Sequence, residues 1–180
     1  MGLHEVGAGE QAPDRFNVII EIPMNADPIK YEVDKRTGVL FVDRFMSTAM
    51  HYPCNYGYVP QTLADDGDPV DVLLITPFAL APGVAVRSRL LGLLNMQDEQ
   101  GSDCKLLAVP DERVLPMYAH WQTYKNLQPE RLHQIQHFFE HYKDLEPGKW
   151  VKVVGWAGVE EARAELAAGM QRYSARSANR

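Results

Sequence analysis

Between Leu63 and Ile75 the chain reads LADDGDPVDVLLI, which crowds Asp65, Asp66, Asp68 and Asp71 together immediately ahead of an apolar run. Like charges this close repel, and an apolar neighbour raises the cost of keeping them ionised. Such a cluster persists where something positive sits among the carboxylates, or where all of them point into water. An EF-hand is excluded, because Pro69 fills a ligand-spaced slot and Pro77 stands where that loop needs its last glutamate. Asp66-Gly67-Asp68-Pro69 instead predicts a tight turn, stiffened by Pro69, which fixes its own φ and removes a backbone donor. Several hard oxygen donors on a stiff support suit Mg²⁺ or Mn²⁺ rather than zinc.

More acids and several separate bases lie elsewhere. Asp98 follows one apolar run and Asp103 precedes the next, with Lys105 on the same face as Asp103. Lys30, Arg44, Lys105 and Lys143 are cations of the kind that neutralise phosphate oxygens. The segment RFMSTAMHYPCNYGYVP adds Tyr52, Tyr56 and Tyr58 among prolines and glycines. These phenols read equally as a loop of hydroxyl donors and as core packing at a barrel mouth. In IKYEVD, alternation puts Lys30, Glu32 and Asp34 on one side, which taken alone is a solvated face. His133, His137 and His141 recur every four residues, and a subunit-contact face suits that stripe better than a metal site. Taken together, many acids and dispersed bases suggest phosphoryl transfer assisted by metal ions.

These residues need a frame. Strands are expected at 16–23, 29–34, 39–45, 70–76, 83–96 and 104–110, with Gly92 marking a bulge in the long one. Helical periodicity is confined to the last third. One helix is expected over 129–145 behind Pro129, with Leu132, Ile135, Phe139 and Tyr142 on one face. After a last strand in KWVKVVGW, a second helix is expected over 159–176. Its Glu160 and Glu161 lie near the positive end, and Arg172 and Arg176 near the negative end. Strands followed by helices predict an α+β domain, most simply a small β-barrel with helices packed outside.

At 180 residues the chain fits one domain spanning 1–180, with a polar arm over 1–15 and a closing helix and tail over 159–180. A net charge of −6 argues against broad nucleic-acid binding. Cys54 and Cys104 are too few for a disulfide framework and read as reduced thiols. Neither a signal peptide nor a membrane-length apolar run is found, and Val6 breaks a myristoylation motif, so a cytoplasmic protein off the membrane is expected.

Residues 66–72, DGDPVDV, match the signature D-[SGDN]-D-[PE]-[LIVMF]-D-[LIVMGAC] in full. The chain thereby resembles the soluble family I inorganic pyrophosphatases, and the likeness to their short prokaryotic branch runs over about 16–160. The resemblance implies a five-stranded OB-like β-barrel with additional strands and flanking C-terminal helices, hydrolysing inorganic diphosphate with Mg²⁺. It further implies that Asp66, Asp71, Asp98 and Asp103 ligate metal, and that Asp68 is the general base towards a metal-bridging water. Lys30, Arg44, Tyr56, Lys105, Tyr142 and Lys143 would hold phosphate oxygens, with Tyr52 beside them. Glu21 would act mostly through water, and Glu32 would be a water-linked acid nearby. Asp65 matches nothing in the signature and is expected to be merely solvated. The branch forms hexamers, with histidines matching His137 and His141 between trimers. The alternatives are a non-enzymatic OB-type module binding divalent ions or oligonucleotides, and a hydrolase of larger phosphoanhydrides.

Overall fold

The computed structural model describes residues 2–178, so Met1 of the expected arm and residues 179–180 of the expected tail lie outside the described residues. In chain order the strands are β1 (Phe16–Ile22), β2 (Ile29–Val33), β3 (Leu40–Phe45), β4 (Asn55–Tyr58), β5 (Asp71–Leu74) and β6 (Ala85–Asp98). They are followed by β7 (Gly101–Ser102), β8 (Lys105–Pro110), helix α1 (Pro129–His141), β9 (Val151–Ala157) and helix α2 (Val159–Ala178). Short 3₁₀ turns lie at Leu3–Glu5, Pro116–Tyr118 and Tyr124–Asn126, the first two of them ahead of the expected helical third.

Seven strands form one mixed sheet in the order β1-β4-β5-β8-β6-β7, with β9 also on β6. Because β1 pairs with β6 as well, five of them close into a ring, in agreement with the expected barrel though less regular than a strict one. β5 and β8 run parallel, in register Val72↔Leu106, and the other pairs are antiparallel. β5 and β8 are buried on both faces, which is why VDVLLI and KLLAV read as continuous apolar runs. Alternate residues serve two cores. Leu73, Leu107 and Leu94 pack with Ile135, Phe138 and Phe139 of α1, while Val72, Leu106 and Leu93 pack with Ala162 and Leu166 of α2. The β6 register shifts between Leu90 and Gly92, the expected bulge. β2 and β3 form a separate hairpin whose Phe41, Val42 and Phe45 are exposed.

β4 was not among the expected strands. Gly57 makes the strand possible, since a Cβ there would stand 1.9 Å from the Ile19 carbonyl oxygen. Asn55 anchors its start. The buried amide accepts from the Met24 and Leu80 N–H groups and donates to Thr76 Oγ1 and the Phe78 carbonyl. α1 ends earlier than expected, leaving Tyr142 and Lys143 just beyond its last turn. Cys54 and Cys104 are free thiols, and burial pushes Cys54 up to about 12. No described helix is long and apolar enough to cross a membrane.

Candidate active site

One cavity of about 290 Å³ gathers the chemistry of the chain. The turn before β5 supplies Asp66 and Asp68, and β5 itself supplies Asp71. The end of β6 supplies Asp98, and the step into β8 supplies Asp103 and Lys105. The hairpin contributes Lys30 and Arg44, the β4 region Tyr52 and Tyr56, and the end of α1 Tyr142 and Lys143. A larger cavity of about 1000 Å³, between the N-terminal arm and α2, has glycines, amides and arginines in its wall but no group of carboxylates.

The parallel pairing of β5 and β8 explains the middle of the site. It sets Asp71 beside Lys105, whose ammonium donates to Asp71 Oδ2 at 2.8 Å and Asp103 Oδ1 at 2.9 Å, with Tyr56 Oη at 3.4 Å. Burial works against the charged lysine, but Asp71, Tyr56 and Asp103 outweigh it and hold its pKa well above the ordinary range. Lys143 donates to Asp98 Oδ2 at 2.9 Å. Burial favours protonation of Asp98, yet the hydrogen bonds from Lys143 and the Gln100 N–H prevail and hold it below the usual aspartate range. Burial also raises Tyr52, Tyr56 and Tyr142, so all three phenols keep their protons at neutral pH. Tyr52 packs between Tyr56 and Phe138 at centroid distances of 5.2 and 4.7 Å, so these tyrosines are both core and cavity wall.

Asp68 is exposed, and its N–H donates to Asp66 Oδ1 at 2.9 Å, closing the expected tight turn. Two candidates do not line the cavity. Glu21 is buried and accepts from the Val33 N–H at 2.8 Å and Lys35 at 2.9 Å. Its burial outweighs the pull of Lys35 and raises its pKa. Glu32 stands 4.0 Å from Lys30 on the hairpin. Tyr58 belongs to another cluster, beneath Lys35 and with Ile19 and Val33. Asp34 only closes its own turn, accepting from the Arg36 and Thr37 N–H groups.

The structure adds residues that sequence patterning missed. Lys149 lines the cavity, and Glu146 lies between Lys149 at 3.4 Å and Arg44 at 3.6 Å. Arg44 Nε and Glu146 Oε1 are buried without a hydrogen-bond partner among the described residues. The charge run in LEPGKW was the available signal, but it has the look of an ordinary surface loop. Asp65 is not merely solvated, because Arg172 Nη1 lies 3.1 Å from its Oδ1. On α1, the His137 and His141 rings are 4.7 Å apart, and His141 Nδ1 is 2.8 Å from Asp144 Oδ2.

Among the described residues no three His, Cys, Asp or Glu side chains form a ready-made ligand cluster for a metal ion. The donors nevertheless fit hard divalent cations. They are all carboxylate oxygens, they converge on one cavity, and two of them already share one positive charge, that of Lys105.

A family model described as inorganic pyrophosphatase matches residues 18–174, which carries the likeness past the expected limit near residue 160 and into α2. An inorganic pyrophosphatase of Ralstonia nicotianae is 56% identical over 173 residues, covering 96% of this chain and 99% of its own. One from Escherichia coli K12 is 58% identical over 173 residues, covering 96% and 98%. The solved structure of an inorganic pyrophosphatase from Coxiella burnetii superposes with a TM-score of 0.90 at 54% identity, covering 93% of this chain and 99% of that one. This chain belongs to the inorganic pyrophosphatase family.

Proposed function

We propose that the protein hydrolyses inorganic diphosphate to two phosphates with Mg²⁺, and that Mn²⁺ can substitute. The observation that carries this reading is the single cavity where acidic and cationic side chains from six separate parts of the chain converge. Asp66, Asp71, Asp98 and Asp103 would hold divalent cations, which when bound acidify water and screen the charge of diphosphate. Asp68, exposed on its stiff turn, takes the proton of the attacking water. Lys30, Arg44, Lys105 and Lys143 hold phosphate oxygens and lower the repulsion between nucleophile and substrate. Tyr56 and Tyr142, kept protonated by burial, can donate to the same oxygens, and Tyr52 supports their rings. Lys149 joins this group from the rim. Glu21 and Glu32 act at one remove, Glu21 by anchoring the hairpin through the Val33 N–H and Lys35.

The testing experiment measures phosphate release from diphosphate, ATP and tripolyphosphate side by side, with Mg²⁺ and with a chelator. Turnover of diphosphate that chelation abolishes is expected. No turnover of diphosphate in any divalent metal would sink the reading, and preference for a longer chain would move the activity to larger phosphoanhydrides.

The whole of 1–180 acts as one domain in the cytoplasm, assembled as a homohexamer. The stripe of His137 and His141 supports a subunit seam there. Sedimentation should give a hexamer at neutral pH, and replacing His137 and His141 together by alanine should shift it towards smaller assemblies. A wild-type monomer at neutral pH would refute this seam.

A further inference from the structure

Arg172 does not serve the end of α2, where its place in the sequence suggests a role against the helix dipole. Its guanidinium turns onto the segment that leads into the carboxylate turn. Nε donates to the Leu63 carbonyl at 2.7 Å, Nη1 lies 3.1 Å from Asp65 Oδ1, and Nη2 donates to Glu165 Oε1 at 2.7 Å. A planar fork engaged at three points fixes its own orientation as well as that of its partners. The Leu63 N–H donates to the Gly169 carbonyl at 2.9 Å, so both backbone polar groups of Leu63 are bound by α2. The approach is close enough to need glycine, because a Cβ at Gly169 would stand 2.5 Å from Val70 Cγ2 and 3.2 Å from the Leu63 oxygen.

From this anchored residue the turn closes on itself. The Ala64 N–H donates to the Asp68 carbonyl at 2.6 Å, and the Gly67 N–H to the Ala64 carbonyl at 3.1 Å. The far end is carried into the sheet by β5. The turn bearing Asp66 and Asp68 is therefore held at one end by a strand and at the other by α2.

We infer that Arg172 is a positioning residue for this turn, setting divalent-cation affinity and turnover from outside the cavity. The inference rests on the reading of the site as a metal-dependent diphosphate hydrolase. Charge and position act in opposite directions here, which makes the idea decidable. Removing a positive charge beside acidic ligands would by itself tighten cation binding. Releasing the turn weakens it, because the carboxylates must then be ordered as the ion binds.

The test follows Mn²⁺ binding to the full-length protein without substrate, by the electron paramagnetic resonance of free Mn²⁺. Thermal unfolding and diphosphate kinetics are measured beside it. Arg172→Gln is expected to weaken Mn²⁺ binding about five-fold and lower kcat about ten-fold, with KM within about two-fold. Arg163→Gln is the control on the same helix. It breaks ion pairs with Asp14 and Glu160 that do not touch the turn, and should leave Mn²⁺ affinity unchanged. Unchanged or tighter Mn²⁺ binding in Arg172→Gln overturns the inference, as does an equal loss in Arg163→Gln. If Arg172→Gln does not fold, Arg172→Lys keeps the charge but loses the fork. It should weaken binding about three-fold, and wild-type affinity there overturns the inference. A wild-type protein inert towards diphosphate would refute the proposed function alone, and the Mn²⁺ comparison would still decide the role of Arg172.

Discussion

The two sides of the cavity are built differently. Tyr56, Asp71 and Lys105 stand on strands of the closed ring, and Lys105 and Tyr56 are only 3% and 8% exposed. Lys30 and Arg44 stand on the outlying hairpin, each with 32% of its side chain exposed, and Asp66 and Asp68 on an exposed turn. Ring residues are held by packing and paired charge whether or not a ligand is present. Hairpin residues have fewer packing contacts and more freedom to follow the substrate, while the turn presents exposed side chains on a backbone anchored at both ends. Substitutions on the ring should therefore cost both stability and binding, whereas those on the periphery should cost function alone.

Asp68→Asn is the severest functional break on the peripheral side. It should reduce kcat by about a thousand-fold while leaving Mn²⁺ affinity and thermal unfolding near wild type. Near-wild-type kcat would show the proton acceptor to be another group. On the ring side, Lys105→Ala leaves Asp71 and Asp103 without their shared cation. A loss of about 3 kcal/mol is expected in denaturant unfolding of the metal-free protein. Mg²⁺ should recover more stability in this variant than in wild type, and equal gains would mean that the ammonium does not stand where an added cation would.

Asp98→Asn sharpens the comparison through pH. Lys143 and the Gln100 N–H hold Asp98 below the ordinary aspartate range, so its stabilising contribution is complete above that range and is lost as pH falls through the lowered value. The metal-free variant should unfold about 2 kcal/mol more easily at neutral pH, with the gap shrinking as pH falls below the ordinary aspartate range. A gap independent of pH would assign the loss to packing. Lys30→Gln should have the smallest effect, a KM for diphosphate about ten-fold higher with stability changed by less than about 0.5 kcal/mol. A large stability loss there would show the hairpin to be as firmly built as the ring.

Much of the ring was legible in the sequence because its strands are long, apolar and bounded by glycine and proline. β4 was not, since NYGY has neither alternation nor an apolar run and becomes a strand through the empty space at Gly57. The acids and bases of the cavity were legible by type, and their roles came from the match of DGDPVDV and the surrounding segments to the family. What stayed hidden was pairing at a distance. Asp65 and Arg172, or Arg44 and Glu146, meet only once the chain has folded, and neither partner marks the other in sequence. Glu21 illustrates the reverse case. It is an acid expected to act through water near the site, and it is buried just outside the cavity wall, accepting from a backbone N–H and a lysine while still feeling the charge of Asp71.

The parallel pairing of β5 with β8 has a kinetic consequence. Asp71 and Lys105 lie 34 positions apart, and the intervening chain includes the long strand β6. Loop closure of that span comes before any contact rewards it, so the pair should form late in folding. A nascent or half-folded chain would have its acids without their counter-charge, and the centre of the site would come into being only as the ring closes.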